Sequence, residues 1–228
     1  MREKADGNGL RGDFMQTVKA KKKYTLFTGK QLLWLIAPIV IESIFTTSLG
    51  FFDSAMVSRI DPAGNAGNAV SNVDQINNLI IQLFSAFATG GAIITSQYLG
   101  ARDSENANKS ARQMVMLVLL LSVLIAAVCL VLNAPLLDLF FSDVKAESPV
   151  TYQYERDYFY ITAASFPFIG LFNGCAALLR AQRKSMFTMV SAAISCFVNI
   201  GLNALFIWGF NMEVMGAALA TLIARAIP

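Results

Sequence analysis

Two carboxylates, Glu42 and Asp53, lie within the first long apolar run of the chain. They are eleven residues apart, so in a helix they would share one face, about 16 Å apart along the axis. An ionisable group inside an apolar span costs about 2.5–3.5 kcal/mol even on a lenient scale. That cost favours a functional role for both, and the chemistry open to such a carboxylate is binding a proton or a small cation.

Three neutral polar side chains on later apolar runs fall at a similar depth to Asp53. Asn199 and Asn203 lie near the end of the fifth run, and Thr221 lies near the middle of the sixth. At 1.5 Å per residue, all four residues lie within about 10 Å of one another in depth. They can form one site if their helices are neighbours, which spacing alone leaves open.

Further polar residues follow one face of the second apolar run at steps of three and four. We predict that these residues, with Asp74 beside them and Ser195 on the fifth run, line a polar cavity: Gln75, Asn78, Gln82 and Ser85. Two alternatives remain: the polar side chains join helices by hydrogen bonds, or Asp74 is simply solvated near a helix end. Pro38 removes a helix hydrogen bond inside the first run and is predicted to be a gating bend, with a purely structural bend as the alternative.

The composition is that of a membrane protein. Of 228 residues, 55% are hydrophobic and 14% are charged, against the quarter or so that is charged in soluble domains. This balance excludes a soluble enzyme, a disulfide scaffold and a disordered chain. Histidine is absent, which excludes imidazole catalysis and histidine-bound metals. We expect no catalytic residues, no cofactor and no nucleic-acid partner.

The apolar runs predict an all-α, polytopic bundle of six transmembrane helices in contact with the lipid bilayer. The expected spans are about 32–57, 69–98, 114–134, 158–180, 186–209 and 213–228, which form a transmembrane lobe over residues 31–228. The sixth is too short to cross the hydrocarbon core. We therefore expect the chain to be part of a longer protein whose second half is missing.

Charge placement predicts the orientation of the bundle. Alternate segments, beginning with the basic tail of residues 1–30, hold fourteen Lys and Arg residues, and the other loops hold three. The positive-inside rule places the tail in the cytoplasm and the loops at 58–68 and 135–157 outside. The expected location is a bacterial plasma membrane.

Four segments resemble segments of a known protein family, and they follow one another along the chain in the same order as in that family. FDSAMVSR at 52–59 resembles the first-helix signature of multidrug and toxic compound extrusion (MATE) transporters. The segments from GGA at 90–92 to SQYLGA at 96–101, NIGLNALFI at 199–207 and GAALAT at 216–221 resemble their second, fifth and sixth helices. The resemblance covers roughly residues 30–228.

The resemblance implies a two-lobe, twelve-helix transporter, of which this chain matches the N-terminal lobe. It implies that Asp53, Asn199, Asn203 and Thr221 form a network for proton or sodium coupling, with sodium as the one metal to consider there. The position of Asn203 is often Asp in proton-coupled members, and an amide cannot take up and release a proton. Glu42 and Asp74 are the further acidic groups predicted to share that task.

These residues point to one leading function and leave two alternatives. The leading one is a secondary active antiporter that exports organic, cationic or amphipathic small molecules in exchange for sodium ions or protons by alternating access. The first alternative is a flippase for lipid-linked intermediates, which favours a strongly basic cavity. An intramembrane hydrolase would need an aspartyl dyad, and neither Asp53 nor Asp74 lies in a protease-like motif.

Overall fold

The computed structural model describes residues 28–61 and 63–227, which form helices and turns with no strand among them. Residues 1–27 of the predicted cytoplasmic tail lie outside the described residues. The chain divides into a short unit, residues 1–34, and a larger unit, residues 35–228, to which the packing below belongs.

Helices occupy most of the described chain. Their bounds are α1 Gly29–Val57, α2 Asn65–Gly100, α3 Ser104–Val131, α4 Asn133–Glu147, α5 Pro149–Ala164, α6 Phe166–Ala181, α7 Ser185–Asn203, a π-helix Ala204–Gly209, and α8 Glu213–Ala226. α1 is continuous through Pro38, so whether that proline acts as a gating bend stays a prediction.

Local chemistry explains where several helices begin. The Asp61 carboxylate accepts hydrogen bonds from the backbone amides of Ala63 and Ala66, and Gly64 adopts a left-handed conformation (φ 78°) just before α2. Such a conformation suits glycine because it lacks a Cβ. Asp103 caps α3 by accepting from the Asn106 backbone amide at 3.1 Å. The Asn106 side-chain amide, which donates to the other Asp103 oxygen at 2.6 Å, is the main cause of the lowered pKa of the Asp103 carboxyl, and the backbone bond adds to it.

Four helical segments within the described residues are long and apolar enough to cross a membrane: α1, α2, α3, and α7 together with the π-helix. The pair α5 and α6, bent by 47°, makes a fifth if it is counted as one span. α8, at the predicted sixth span, has 14 residues. The prediction of a polytopic helical bundle is confirmed in this coarser form, while the count of six stays a prediction.

The expectation of a loop at 135–157 is wrong, because this segment is largely helical. α4 buries Leu137 completely, and its Asp138 forms an ion pair with Lys145 at 2.8 Å. The Tyr152 hydroxyl of α5 donates to Asp138 at 2.6 Å. Asp138, Asp143 and Glu147 of this segment therefore lie on α4, which packs against α5.

A break separates α5 from α6 at Ser165. Pro167 has no amide hydrogen to continue the helix, and the residue before a proline is disfavoured in the helical conformation. The Thr162 and Ser165 hydroxyls also donate to backbone carbonyls of the preceding turn, at 2.9 and 2.6 Å. Side-chain bonds of this kind tend to bend helices, in agreement with the 47° bend.

The core lies where α2, α3, α5 and α6 meet. Phe84 of α2 and Phe166 of α6 contact edge to face, with ring centroids 6.2 Å apart, and Val118 and Phe159 are fully buried beside them. α8 packs between α5 and α7. The outer faces are apolar instead: Leu120 and Leu124 of α3 are 63% and 61% exposed, as expected of residues that face lipid.

Candidate functional site

Asp53 of α1 lies at the centre of a buried group of polar side chains, with 1% of its surface exposed. The Thr221 hydroxyl donates to its Oδ2 at 2.6 Å, and the Tyr158 hydroxyl donates to the same oxygen at 3.3 Å. The Asn203 amide donates to Oδ1. Three donors on one carboxylate compensate the loss of water around its charge, so this arrangement suits an ionised Asp53.

Asn199 closes the group into a ring. Its amide donates to the Thr221 hydroxyl at 3.1 Å, and its carbonyl accepts from Asn203 at 3.2 Å. Asn203 thus donates one amide hydrogen to Asp53 and the other to Asn199. The structure brings together the four residues of similar predicted depth, from α1, α7 and α8.

Helix geometry explains how these elements position the ring. Asn199 and Asn203 are four residues apart and share one face of α7. The π-helix begins directly after Asn203, and such wide turns are frequent at functional sites. α8 approaches closely because of small residues: a Cβ on Gly216 would lie 3.2 Å from a backbone carbon of Phe206.

The donor set also fits sodium, which is held by carboxylate, hydroxyl and amide oxygens as other hard cations are. The Oδ1 atom of Asn203 is buried and has no hydrogen-bond partner among the described residues. A half-turn of the Asn203 amide would bring this oxygen toward Asp53 in place of its nitrogen. The ring can therefore satisfy either an ionised carboxylate by hydrogen bonds or a small cation by oxygens.

Tyr158 and Asp74 extend the ring on one side. The Tyr158 oxygen lies 3.3 Å from Asp53 Oδ2 and 3.5 Å from Asp74 Oδ1, and its single hydrogen can serve only one of them well at a time. Asn77 donates to Asp74 Oδ1 at 3.3 Å, while Asp74 Oδ2 is buried without a partner in the described chain. Sequence reasoning missed Tyr158 because it is the first residue of the predicted fourth span.

Glu42 does not belong to this ring. Arg180 of α6 donates to Glu42 Oε1 at 2.8 Å, and the Thr188 hydroxyl of α7 donates to Oε2 at 2.6 Å. The separation of eleven positions between Glu42 and Asp53 places them at different depths of α1. The prediction that Glu42 shares the coupling site is therefore not supported by its position, since both of its oxygens are engaged elsewhere.

A cavity of about 610 Å³ lies beside the ring. Of the predicted lining residues, those that line it are Asp74, Asn78, Gln82, Ser85 and Ser195, with Glu42, Arg180 and Arg225 also in its wall. Gln75 is exposed and does not line it. The prediction for Gln75 is wrong because one residue rotates a helix by about 100°, which turns Gln75 away from the face of Asp74.

The cavity and the buried ring meet at Asp74. The four ring residues are absent from the cavity wall, whereas Asp74 lies in the wall and contacts Tyr158. Arg225, which donates to the Ser165 hydroxyl at 3.0 Å, balances this acidic region electrostatically. A polar cavity next to a sealed carboxylate is an arrangement in which a bound molecule and a bound ion can influence each other.

Comparison with known proteins gives the context of this site. The MatE family model matches residues 38–205. The chain is 28% identical over 198 residues to the multidrug export protein MepA of Staphylococcus haemolyticus, covering 87% of this chain and 42% of that protein. It is 32% identical over 214 residues to the uncharacterized transporter YisQ of Bacillus subtilis, covering 91% of this chain and 44% of that protein.

A solved structure described as the outward-facing conformation of a multidrug resistance MATE family transporter superposes with a TM-score of 0.74. It shares 25% sequence identity with the chain, and the match covers 86% of this chain and 42% of that one. The chain thus spans less than half the length of the relatives that it matches. A family match over most of the chain, with the same helical fold, shows that this chain belongs to the MatE family of multidrug and toxic compound extrusion transporters.

Proposed function

We propose that this chain forms one lobe of a secondary antiporter that exports organic, cationic or amphipathic compounds in exchange for sodium ions or protons. The observation that carries the proposal is the buried ring around Asp53, joined through Tyr158 to the wall of a polar cavity. Transport needs no covalent catalysis, which agrees with membership of a transporter family.

Ion binding at Asp53 would change the contacts between four helices. As an ionised carboxylate, Asp53 accepts hydrogen bonds from α5, α7 and α8. A proton on one oxygen removes an acceptor, and sodium requires oxygens where donors now point. Either ion changes the relative stability of two helix arrangements, and alternating access follows if the substrate binds one arrangement better.

Tyr158 provides a route for coupling between ion and substrate. While Asp53 is ionised, it competes for the Tyr158 hydrogen; once an ion neutralises it, that hydrogen is available to Asp74. Asp74 then attracts a cationic compound in the cavity less strongly. Ion and substrate would thereby disfavour each other, as an antiporter requires.

The mixed charge and the aromatic surface of the cavity wall suit organic cationic or amphipathic compounds better than lipid-linked intermediates. Phe51 and Phe172 provide aromatic surface, and Glu42 and Asp74 stand beside Arg180 and Arg225. A flippase of lipid-linked intermediates would favour a strongly basic wall, so no observation favours this alternative.

Family membership supports an integral membrane protein, and the bacterial relatives suggest a bacterial plasma membrane. We further propose that a second lobe completes the transporter, since the relatives are more than twice the length that this chain matches. A cytoplasmic N-terminus is proposed from the Lys and Arg distribution.

Asp53→Asn tests the proposed function in the full reading frame that contains this chain. The change keeps size and shape but removes the charge, so we expect ion-driven efflux of a fluorescent cationic dye to fall by about 10-fold or more. Efflux is measured in cells at matched expression, with sodium and pH varied separately to identify the ion. Asp143→Asn, at an exposed carboxylate of α4, is the control. Wild-type efflux by Asp53→Asn under every condition would show that this carboxylate is structural.

A further inference from the structure

A line of buried polar residues runs along the face of α5 that contains Tyr158 and continues to Ser165, at the break after α5. We name this line the α5 polar stripe, and its members recur at steps of four and three residues. Each is at most 4% exposed: Thr151, Glu155, Tyr158, Thr162 and Ser165. This spacing keeps all five on one face of a helix. None of them lines the cavity described above. The stripe therefore leads to Asp53 along residues that do not themselves line the cavity.

Glu155 is the ionisable member whose environment the proposed function leaves unexplained. It is fully buried. Its Oε1 accepts one hydrogen bond, from the Asn72 amide of α2 at 2.7 Å, and its Oε2 is buried with no partner in the described chain. A buried carboxylate with one oxygen unsatisfied is costly, and protonation of that oxygen removes most of the cost.

The position of Glu155 places it between the end of the bundle and Asp53. One turn before it, Thr151 donates to Asn65 at 3.1 Å, together with Ser148 at 3.3 Å, and both Asn65 and Ser148 are only half-buried. Tyr158 lies three residues after it and donates to Asp53. From Thr151 to Tyr158 the axis rises about 10 Å, with Glu155 near the middle.

We propose that Glu155 is a proton-relay carboxyl that delivers protons to Asp53 from the end of the bundle where α5 begins. The inference rests on the proposed function and assigns the proton as the coupling ion. A proton first binds Oε2 of Glu155. No hydrogen bond joins Glu155 to Tyr158 among the described residues, so the Glu155 side chain must first turn toward Tyr158, three residues along the same face. The proton then passes to the Tyr158 oxygen while the Tyr158 hydrogen passes to Asp53, which leaves Glu155 ionised, Tyr158 neutral and Asp53 protonated.

Proton exchange suits this stripe better than passage of sodium. Hydroxyl and carboxyl groups pass protons along hydrogen bonds, whereas sodium needs several oxygens at once. Around Glu155 the described contacts supply a single amide in addition to its own carboxyl.

The Glu155 carboxyl has no charged partner among the described residues. None of the titratable or charged groups on the elements that pack on α5 forms a described hydrogen bond or ion pair with Glu155: Asp74 and Tyr98 on α2, Glu105, Lys109, Arg112 and Cys129 on α3, Asp138, Asp143, Lys145 and Glu147 on α4, Cys175 and Arg180 on α6, and Glu213 and Arg225 on α8. On α5 itself, Tyr152 donates to Asp138 and Tyr154 donates to Glu213. Arg156 is exposed. No ion pair among the described residues involves Glu155, so no neighbouring cation holds its carboxyl in the ionised form.

Glu155→Gln in the full reading frame tests the relay by transport. Glutamine keeps an acceptor for Asn72 but cannot carry a proton, so we expect proton-driven dye export from proteoliposomes to fall by about 100-fold. Dye binding and thermal stability should stay at wild-type values. Glu155→Asp should recover part of the loss. The matched control is Glu147→Gln, at an exposed carboxylate of α4. Wild-type, pH-dependent export by Glu155→Gln would overturn the relay, as would export by the wild type driven by sodium alone.

Infrared difference spectra of the purified protein, recorded as pH is varied, provide a readout that does not require transport. The wild type should show a carboxylic-acid band that Glu155→Gln lacks and Glu147→Gln retains. Identical bands in the wild type and Glu155→Gln would overturn the inference. If the wild type failed to export any dye, the proposed function would fail, and the spectra would still decide whether Glu155 binds a proton.

Discussion

Glu42 and Asp53 are carboxylates of the same helix, yet their partners give them different roles. Asp53 accepts hydrogen bonds from neutral groups, which can rearrange around a proton or a cation. Glu42 pairs with the Arg180 guanidinium, a permanent positive charge, and Thr188 occupies its other oxygen. At the scale of single residues, Glu42 therefore holds α1 to α6 and α7, while its share in ion coupling stays a prediction.

This difference predicts the effect of Glu42→Gln. Glutamine cannot form the ion pair, and loss of a hydrogen bond between charged groups costs about 1.5–3 kcal/mol. We expect the thermal stability of the purified protein to fall accordingly, while export keeps the sodium and pH dependence of the wild type. The readouts are thermal unfolding in detergent and dye efflux with each ion varied.

The control for Glu42→Gln is Glu105→Gln, which breaks the exposed pair of Glu105 and Lys109 on α3. Pairs in water contribute little, so this variant should unfold like the wild type. A changed ion dependence in Glu42→Gln would return Glu42 to the coupling site and contradict the structural role.

Most of the ring could be predicted at this scale. The depth of a side chain in the membrane follows from its distance, in residues, from the end of its predicted span. Depth placed Asn203 and Thr221 level with Asp53. Tyr158 and Arg180 were missed because each lies at the edge of a predicted span, where hydropathy does not separate a buried partner from a loop residue. Hydrogen-bond partners depend on which helices are neighbours, and one-dimensional spacing contains no such information.

At the scale of elements, two adjacent glycines of α2 face different surroundings. A Cβ on Gly91 would lie 2.8 Å from Met114 Cβ and 2.1 Å from its Cγ, so α3 packs directly on this glycine. A Cβ on Gly90 would meet nothing within 4 Å in the described chain. Packing of α3 on α2 therefore requires glycine at position 91 but not at position 90.

Gly91→Ala and Gly90→Ala therefore form a matched pair. The first should lower the free energy of unfolding by about 1–3 kcal/mol, because Met114 and α3 must move. The second should leave stability unchanged or raise it by up to about 1 kcal/mol, since alanine favours helix. Thermal unfolding in detergent measures both. Equal effects of the two substitutions would contradict the α2–α3 packing described here.

The order of the elements was more predictable from sequence than their interruptions. Long apolar runs fix where α1 and α2 lie, since only helices satisfy their backbone groups in lipid. The break at Ser165 and the π-helix after Asn203 depend on local hydrogen bonds and neighbouring helices, which hydropathy does not report. The helix α4 and the first part of α5 were predicted as a loop because their charged residues lower the mean hydropathy of the segment. The few buried side chains on one face do not offset this effect.

At the scale of the whole molecule, two sets of contacts place alternate loops at opposite ends of the bundle. Asn65 accepts from Ser148 and Thr151, so the turn before α2 and the turn before α5 lie at one end. Glu42 contacts Arg180 and Thr188, which places the turn between α6 and α7 near the early part of α1. The alternation agrees with the Lys and Arg pattern, and which end faces the cytoplasm is decided by experiment.

Single cysteines at Lys109 and Lys145 test the orientation in a protein that lacks Cys129, Cys175 and Cys196. The side chains of Lys109 and Lys145 are 63% and 53% exposed, so burial cannot explain a failure of either site to react. The positive-inside rule places Lys109 in the cytoplasm and Lys145 outside. In intact cells, a membrane-impermeant thiol reagent should label Lys145→Cys and leave Lys109→Cys unlabelled, while permeabilised cells should show both labelled. Labelling of Lys109→Cys alone in intact cells would reverse the topology, and the start of α5, with the Glu155 path, would then open to the cytoplasm.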